Sequence, residues 1–314
     1  MHKIVDVGAE TIEVWLSGEG TPTVAILPGM MCSLYDWIEV ISGLEKSLQV
    51  LLVHRAGCGE SDYTGIGTTG EAADKLYKTL QQLKIIDPIV LVGHSYGGLC
   101  AQHFTVRYPS KVAGLILVDS TSVHLHRLSE LVLPVSDDRD SDAAWVQRCK
   151  QYARMSQTQL LKEIHPELRA LHFKWPAEIQ QKIKGFYCNP NLYATMAAEI
   201  ENWTRCATEI GQAGGFPQVP MKVIGRDPDY STAQAVDDGT PREEAELLEC
   251  IWQELMEEQA NLSKYGERIT ASGAGHAVYE DRPDVVVDAI KDIVSVICHG
   301  GEVVPVNPQF NKGG

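Results

Sequence analysis

The chain has no apolar run long enough to cross a bilayer as a helix, and its opening residues, Met1-His2-Lys3-Ile4-Val5-Asp6, contain no signal-peptide core. Its eight cysteines are scattered, without a C-x-x-C pair or a metal-ligand spacing. A zinc module and a disulfide scaffold are therefore not expected, and the thiols read as reduced, small packing groups. Together these absences predict a cytoplasmic protein. Positive charge is also short: 27 Lys and Arg stand against 42 Asp and Glu, a formal net charge of −15. An acidic surface repels phosphate backbones and anionic lipid, so nucleic-acid and membrane binding are not expected.

What is present is the composition of a soluble globular chain. Of 314 residues, 44% are hydrophobic and 22% charged, enough to bury a substantial core. Thr11-Ile12-Glu13-Val14-Trp15-Leu16 alternates in polarity and predicts an antiparallel edge strand. Four short apolar runs, 23–27, 49–53, 89–92 and 114–118, predict parallel strands buried on both faces. Amphipathic helices are expected between them, at about 70–84 and 97–108. This βαβ rhythm predicts an α/β fold with a doubly wound, mostly parallel sheet.

The rhythm stops between residues 121 and 215, where the chain is polar, helical in pattern and broken by Pro134, Pro166, Pro176 and Pro190. It resumes with a strand at 221–224, a helix opened by a capping box at Thr240-Pro241-Arg242-Glu243, and a short strand at 268–270. A last helix opens at Pro283 and stops at Gly300-Gly301. The expected organisation is a sheet core over 1–120 and 216–300, an inserted helical cap over 121–215, and a loose tail over 301–314.

One hexapeptide carries most of the chemistry. Gly93-His94-Ser95-Tyr96-Gly97-Gly98 fits G-x-S-x-G between a buried-type strand and a helix, the setting that lifts a serine hydroxyl above a sheet edge. The glycines allow strand and helix to approach closely. The Tyr96 amide, at the helix start, is placed to face a developing oxyanion. A serine needs a base, and the base needs an acid to fix its tautomer. His276, in the loop Gly273-Ala274-Gly275-His276 between the last strand and the last helix, is the expected base. Asp227, at the carboxyl end of the 221–224 strand, is the preferred acid; Asp119, at the end of the 114–118 strand, is the alternative, and Asp229 could also serve. The Met30 amide, in Leu27-Pro28-Gly29-Met30-Met31, is the expected second oxyanion donor.

Three further patterns carry less. Gly65-Ile66-Gly67-Thr68-Thr69-Gly70 has the letters of a dinucleotide fingerprint but stands far from the strand ending near Val53, so a loop is expected. His124-Leu125-His126 lacks a third ligand at metal spacing. Cys32, Cys58 and Cys100 lie near the site loops without a dedicated base and read as fillers.

With these residues in place the chain resembles the α/β-hydrolase family over roughly residues 10 to 298. Leu27-Pro28-Gly29-Met30 is similar to the family's oxyanion loop, with proline where histidine is common. Trp37 matches an aromatic that often follows that loop. His54-Arg55-Ala56-Gly57-Cys58-Gly59-Glu60-Ser61 resembles the family's Asp-x-x-Gly-x-Gly-x-Ser turn, with His54 in place of the acid. Gly93–Gly98 is similar to its nucleophile elbow, and Gly275-His276 to its histidine loop. The resemblance implies serine-hydrolase chemistry with no cofactor and no metal. It sets the chain apart from the dehalogenase and epoxide-hydrolase branches, which use aspartate as nucleophile. The expected function is hydrolysis of a small-molecule ester or similar acyl substrate. C–C bond hydrolysis, or a ligand receptor retaining the hydrolase shell, stands as the alternative. Neither the substrate nor the oligomeric state is legible.

Overall fold

The computed structural model describes residues 1–299, without the side chains of residues 138–140. The expected helix stop at Gly300-Gly301 and the 301–314 tail lie outside the described residues. Eight strands form one sheet: β1 (His2–Asp6), β2 (Thr11–Ser17), β3 (Val24–Leu27), β4 (Val50–Val53), β5 (Ile89–His94), β6 (Val112–Val118), β7 (Met221–Arg226) and β8 (Gly266–Ala271). Their spatial order is β1-β2-β4-β3-β5-β6-β7-β8. The first two pairings, β1 with β2 and β2 with β4, are antiparallel. All others are parallel.

The apolar runs become strands because alternate residues find separate cores. Ala25, Leu27, Leu51, Val53, Leu91, Leu115 and Leu117 enter one layer. There they meet Leu76 of helix α2 (Thr69–Gln82), Leu99 and Phe104 of α3 (Tyr96–Arg107), and Met256 of α11 (Arg242–Ala260). Their neighbours Val24, Ile26, Val50, Leu52, Val90, Val92, Ile116 and Val118 enter the opposite layer. That layer is closed by Ile41 of α1 (Ile38–Leu44) and by Val286 and Ile290 of α13 (Pro283–His299). Each Val, Leu, Ile, Phe or Met side chain among them contributes roughly 1.5–3 kcal/mol on full burial. Strands β3, β5 and β6 lie centrally in the sheet, so the loops at their tips stand on its best-anchored part.

Between β6 and β7 every element is helical among the described residues. These are α4 (His126–Ser129), α5 (Pro134–Asp140), α6 (Asp142–Tyr152), α7 (Gln157–Ile164), a 3₁₀ turn at Ala170–Lys174, α8 (Ala177–Tyr187) and α9 (Pro190–Gly211). Leu160, Phe186, Leu192, Tyr193 and Met196 form their own small core, against which Met30 and Met31 of the sheet domain pack.

Three elements differ from expectation. The Thr11–Leu16 segment is antiparallel but is not the edge, because His2–Asp6 pairs outside it. That outer strand has exposed positions and only five residues, too few for alternation to signal it. Helix α10 (Pro228–Asp237) occupies a stretch that carries little amphipathic pattern, and only Thr232 in it is buried. Helix α11 starts at Arg242, one residue after the expected proline opening, with Pro241 at the N-cap position.

Candidate active site

Ser95 stands between β5 and α3 with φ 51° and ψ −127°, a left-handed conformation costly for a residue with a side chain. The turn survives because its surroundings fix it. Its N–H donates to the Val118 carbonyl (3.2 Å), and its own carbonyl accepts from Gly98 (2.8 Å) and Thr121 (3.1 Å). The flanking glycines are required by contact. A Cβ on Gly97 would lie 2.2 Å from the Leu27 carbonyl oxygen, and one on Gly98 would lie 2.0 Å from Ser120 Oγ. The Ser95 side chain caps no backbone group of α3, so its hydroxyl is not consumed by the turn that presents it.

The structure separates the two leading candidate acids. His276 Nδ1 lies 2.6 Å from Asp119 Oδ2. Asp119 is fully buried and adopts φ 39° at the tip of β6. Its other oxygen accepts from Trp252 Nε1 (2.8 Å) and the Arg226 amide (3.1 Å). Burial alone would raise this carboxyl, but the Arg226 guanidinium, His276 and the Trp252 N–H outweigh it and bring it down to about 2. Arg226 is itself held by Glu249 at 2.6 Å and stacks over the Trp252 ring at 4.4 Å.

Asp227, the acid preferred from sequence, does not meet His276. One of its oxygens accepts the amides of Asp229 (3.0 Å) and Tyr230 (3.2 Å), capping α10, and the other accepts the Gly273 amide (2.8 Å). With both oxygens engaged by backbone, it braces the loop that carries His276. The signal was available: Asp-Pro at a strand end is an N-cap followed by proline at the first helical position. Asp229 lies exposed inside α10.

A residue within the elbow ties this loop to Ser95. His94 is buried, its ring 4.8 Å from that of His276, and its Nε2 lies 2.9 Å from the His276 carbonyl oxygen. Burial, with His276 beside it, pushes the imidazole down to about 3. The neutral ring therefore donates from Nε2 to that carbonyl. Trp37, fully buried, meets the His94 ring edgewise and stacks on Tyr279, which follows the histidine loop.

The oxyanion candidates lie on both sides of Ser95. Gly29 packs so tightly that a Cβ there would lie 2.9 Å from Ser95 Cβ. Among the described residues neither the Met30 nor the Tyr96 N–H has a hydrogen-bond partner. Arg55, buried, sends Nη1 to the Pro28 carbonyl (2.5 Å) and Nη2 to the Gly29 carbonyl (3.4 Å). Burial opposes its charge, and Glu199 of α9, bound at 2.5 Å, restores it.

His54 does not stand in for a missing acid; it recruits one from another strand. Its Nε2 accepts the Leu34 amide (3.1 Å), which leaves Nδ1–H to donate to Glu13 Oε2 (2.7 Å). Burial would raise Glu13, but the hydrogen bonds from His54 and from the Glu60 amide overcome it and hold the carboxyl at about 2.

The lesser motifs resolve as packing. Thr68 caps α2, and Gly67 lies against Ala198 of α9, so residues 65–68 form a loop packed on α9 and residues 69–70 open α2. His124 pairs with Glu258 at 2.7 Å. Burial pushes the Cys58 thiol up to about 12 and raises Cys32 and Cys100 further, which disfavours thiolate chemistry at all three. His2, Glu13 and Glu60 offer ligand atoms within 4.8 Å of one another. Those atoms are already engaged, His2 with Glu13 at 2.8 Å and Glu60 with Lys182 at 2.7 Å. A cavity of about 360 Å³ lined by Tyr35, His54, Lys182, Phe186 and Asn189 lies beside them, and neither Ser95 nor His276 lines it. Among the described residues no helix is long and apolar enough to cross a membrane.

Comparison with known proteins places this geometry. Residues 22–171 match the model of the alpha/beta hydrolase fold. Over 90 residues the chain is 33% identical to methylesterase 12, chloroplastic, of Arabidopsis thaliana, covering 28% of this chain and 26% of that protein. The chain thus spans about a quarter of that curated relative's length. Among solved structures, a protein described as an epoxide hydrolase from Pseudomonas aeruginosa superposes with TM-score 0.70 at 15% identity, covering 95% of this chain and 96% of that one. A thermophilic esterase from Thermogutta terrifontis gives TM-score 0.63 at 22% identity, covering 95% and 99%. With its sheet order, its strand-turn-helix serine and these likenesses, the chain has the α/β-hydrolase fold.

Proposed function

We propose that the protein is a serine hydrolase that cleaves an ester or similar acyl substrate through an acyl-enzyme. The observation that carries this reading is the bond from His276 Nδ1 to the buried Asp119 carboxylate, with His276 held against His94, the residue before a serine on a strained turn. With Nδ1–H donating to Asp119, the other ring nitrogen is left unprotonated and can act as base. Ser95 Oγ attacks the acyl carbonyl and gives its proton to His276 Nε2. The oxyanion is received by the Met30 and Tyr96 amides, which have no protein partner to lose. The intermediate collapses, the C–O bond to the leaving group breaks, and His276 returns the proton to the departing oxygen. Water, deprotonated by His276, then attacks the acyl-enzyme and releases the acid and Ser95.

The helices over 121–215 serve in this reading as a cap over the acyl pocket, consistent with Met30 and Met31 packing on their core. The likeness to a methylesterase and to a thermophilic esterase supports ester chemistry. Eight free cysteines, two of them exposed, fit a reducing, cytoplasmic setting.

A screen of nitrophenyl esters across acyl lengths, with Ser95→Ala as the blank, tests the proposal. At least one ester is expected to be turned over repeatedly, with the variant lower by about 10⁴-fold or more in kcat. A single slow turnover followed by lasting rearrangement of the cap would instead assign a receptor.

A further inference from the structure

Arg55 touches both halves of the candidate oxyanion hole while contributing nothing that could reach a substrate. It is 6% exposed. Two of its nitrogens point at consecutive carbonyls, Pro28 (2.5 Å) and Gly29 (3.4 Å), and its Cζ lies 5.1 Å from the centroid of the Tyr96 ring. Two further donors go to Glu199, with Nε at 2.5 Å from Oε1 and Nη2 at 3.1 Å from Oε2. Glu199 belongs to α9 of the helical insertion and is 2% exposed.

The consequence follows from peptide geometry. The Gly29–Met30 bond is trans, so its C=O and N–H point in opposite directions across one plane. A Gly29 carbonyl drawn toward Arg55 turns the Met30 N–H away from Arg55. Gly29 adds little resistance of its own, since a residue without Cβ has unusually free backbone torsions. His94 and Ser95 pack against Gly29, and the guanidinium is the group that hydrogen-bonds the carbonyl of this plane. The fork shape matters, because a single ammonium cannot span two carbonyls and a carboxylate at once.

We propose that Arg55 is the positioning residue of the oxyanion hole: it orients the Met30 amide by holding the Pro28 and Gly29 carbonyls, and its pairing with Glu199 makes that orientation depend on the seating of α9. This rests on the acyl-transfer reading above. It adds that the helical insertion controls transition-state stabilisation as well as access to the site. A substrate that lifted α9 without reseating it would bind and react slowly.

The test compares Arg55→Lys, Glu199→Gln and the double variant Arg55→Met/Glu199→Met with the wild type. Removing one member of a buried pair strands a charge, whereas replacing both by apolar groups of similar size is often tolerated, so the double variant guards against simple unfolding. On an ester turned over by the wild type, Arg55→Lys and the double variant are expected to lose about 10²-fold in kcat with little change in KM, the scale of losing one oxyanion donor. Glu199→Gln keeps a hydrogen-bonding partner and is expected to lose less. Folded variants that retain wild-type kcat would overturn the proposal.

A second measurement reads the geometry without activity. The chain has seven methionines, so selective ¹⁵N-methionine labelling gives few amide signals, and Met30 is assigned by its absence in Met30→Leu. Its resonance is expected to shift in Arg55→Lys and in Glu199→Gln. An unmoved Met30 amide in both would refute the inference, including where the wild type hydrolyses no ester and the acyl-transfer reading itself has failed.

Discussion

At the residue scale, the proposed acid rests on one contact, His276 Nδ1 to Asp119 Oδ2. Two aspartates stand at the carboxyl ends of adjacent parallel strands, and sequence position favours Asp227, which does not meet His276. Asp227 spends both oxygens on backbone amides. Asp119 keeps one for His276 and is steadied by Trp252 and Arg226, residues distant in sequence whose convergence no local pattern could show. Asp119→Asn is therefore expected to lower kcat by about 10³–10⁴-fold, the scale of an acid that fixes the base's tautomer. Asp227→Asn, which can still cap α10 but loses the acceptor for the Gly273 amide, is expected to cost about 1–2 kcal/mol in stability and to lower kcat far less than Asp119→Asn does. Paired steady-state kinetics decide it; a larger kcat loss in Asp227→Asn would reverse the assignment.

At the element scale, most of the sheet domain was legible because its signals are local. Buried parallel strands read as short apolar runs, and Ser95, Tyr96 and the glycines around them sit in a turn whose chemistry is set by immediate neighbours. His276 was legible for the same reason, standing between a strand and a proline-opened helix. What escaped detection depends on partners elsewhere. The outer strand His2–Asp6 is defined by its pairing with Thr11–Trp15. Helix α10 is defined by its Asp227 cap more than by any apolar face. The turn at His54 looked like a departure until Glu13, from β2, supplied its carboxylate. Between β6 and β7 the elements are helical among the described residues, and polar segments punctuated by proline fix where such helices stop and leave their packing open.

At the scale of the whole molecule, the site is a meeting of three loops held by buried polar groups, and those groups make stability depend on pH. His94 is held neutral at about 3, whereas an unfolded chain takes up that proton near the ordinary histidine value. Stability is therefore full above that value and declines as pH falls toward 3; Asp119 adds a further loss between the ordinary carboxylate range and about 2. For His94 alone the decline between about pH 7 and pH 5 is on the order of 2 kcal/mol. Urea unfolding at the two pH values should show this decline in the wild type and a smaller one in His94→Asn. Equal declines would remove His94 from the explanation.

All of these features bear on the proposed role of Ser95 as nucleophile. The most direct measurement is reaction with a fluorophosphonate, followed by intact-mass and peptide mapping of the wild type, Ser95→Ala and Asp119→Asn. The expected result is one adduct, on Ser95, absent in Ser95→Ala and formed far more slowly in Asp119→Asn. An adduct at another residue, or undiminished labelling of Ser95→Ala, would contradict it.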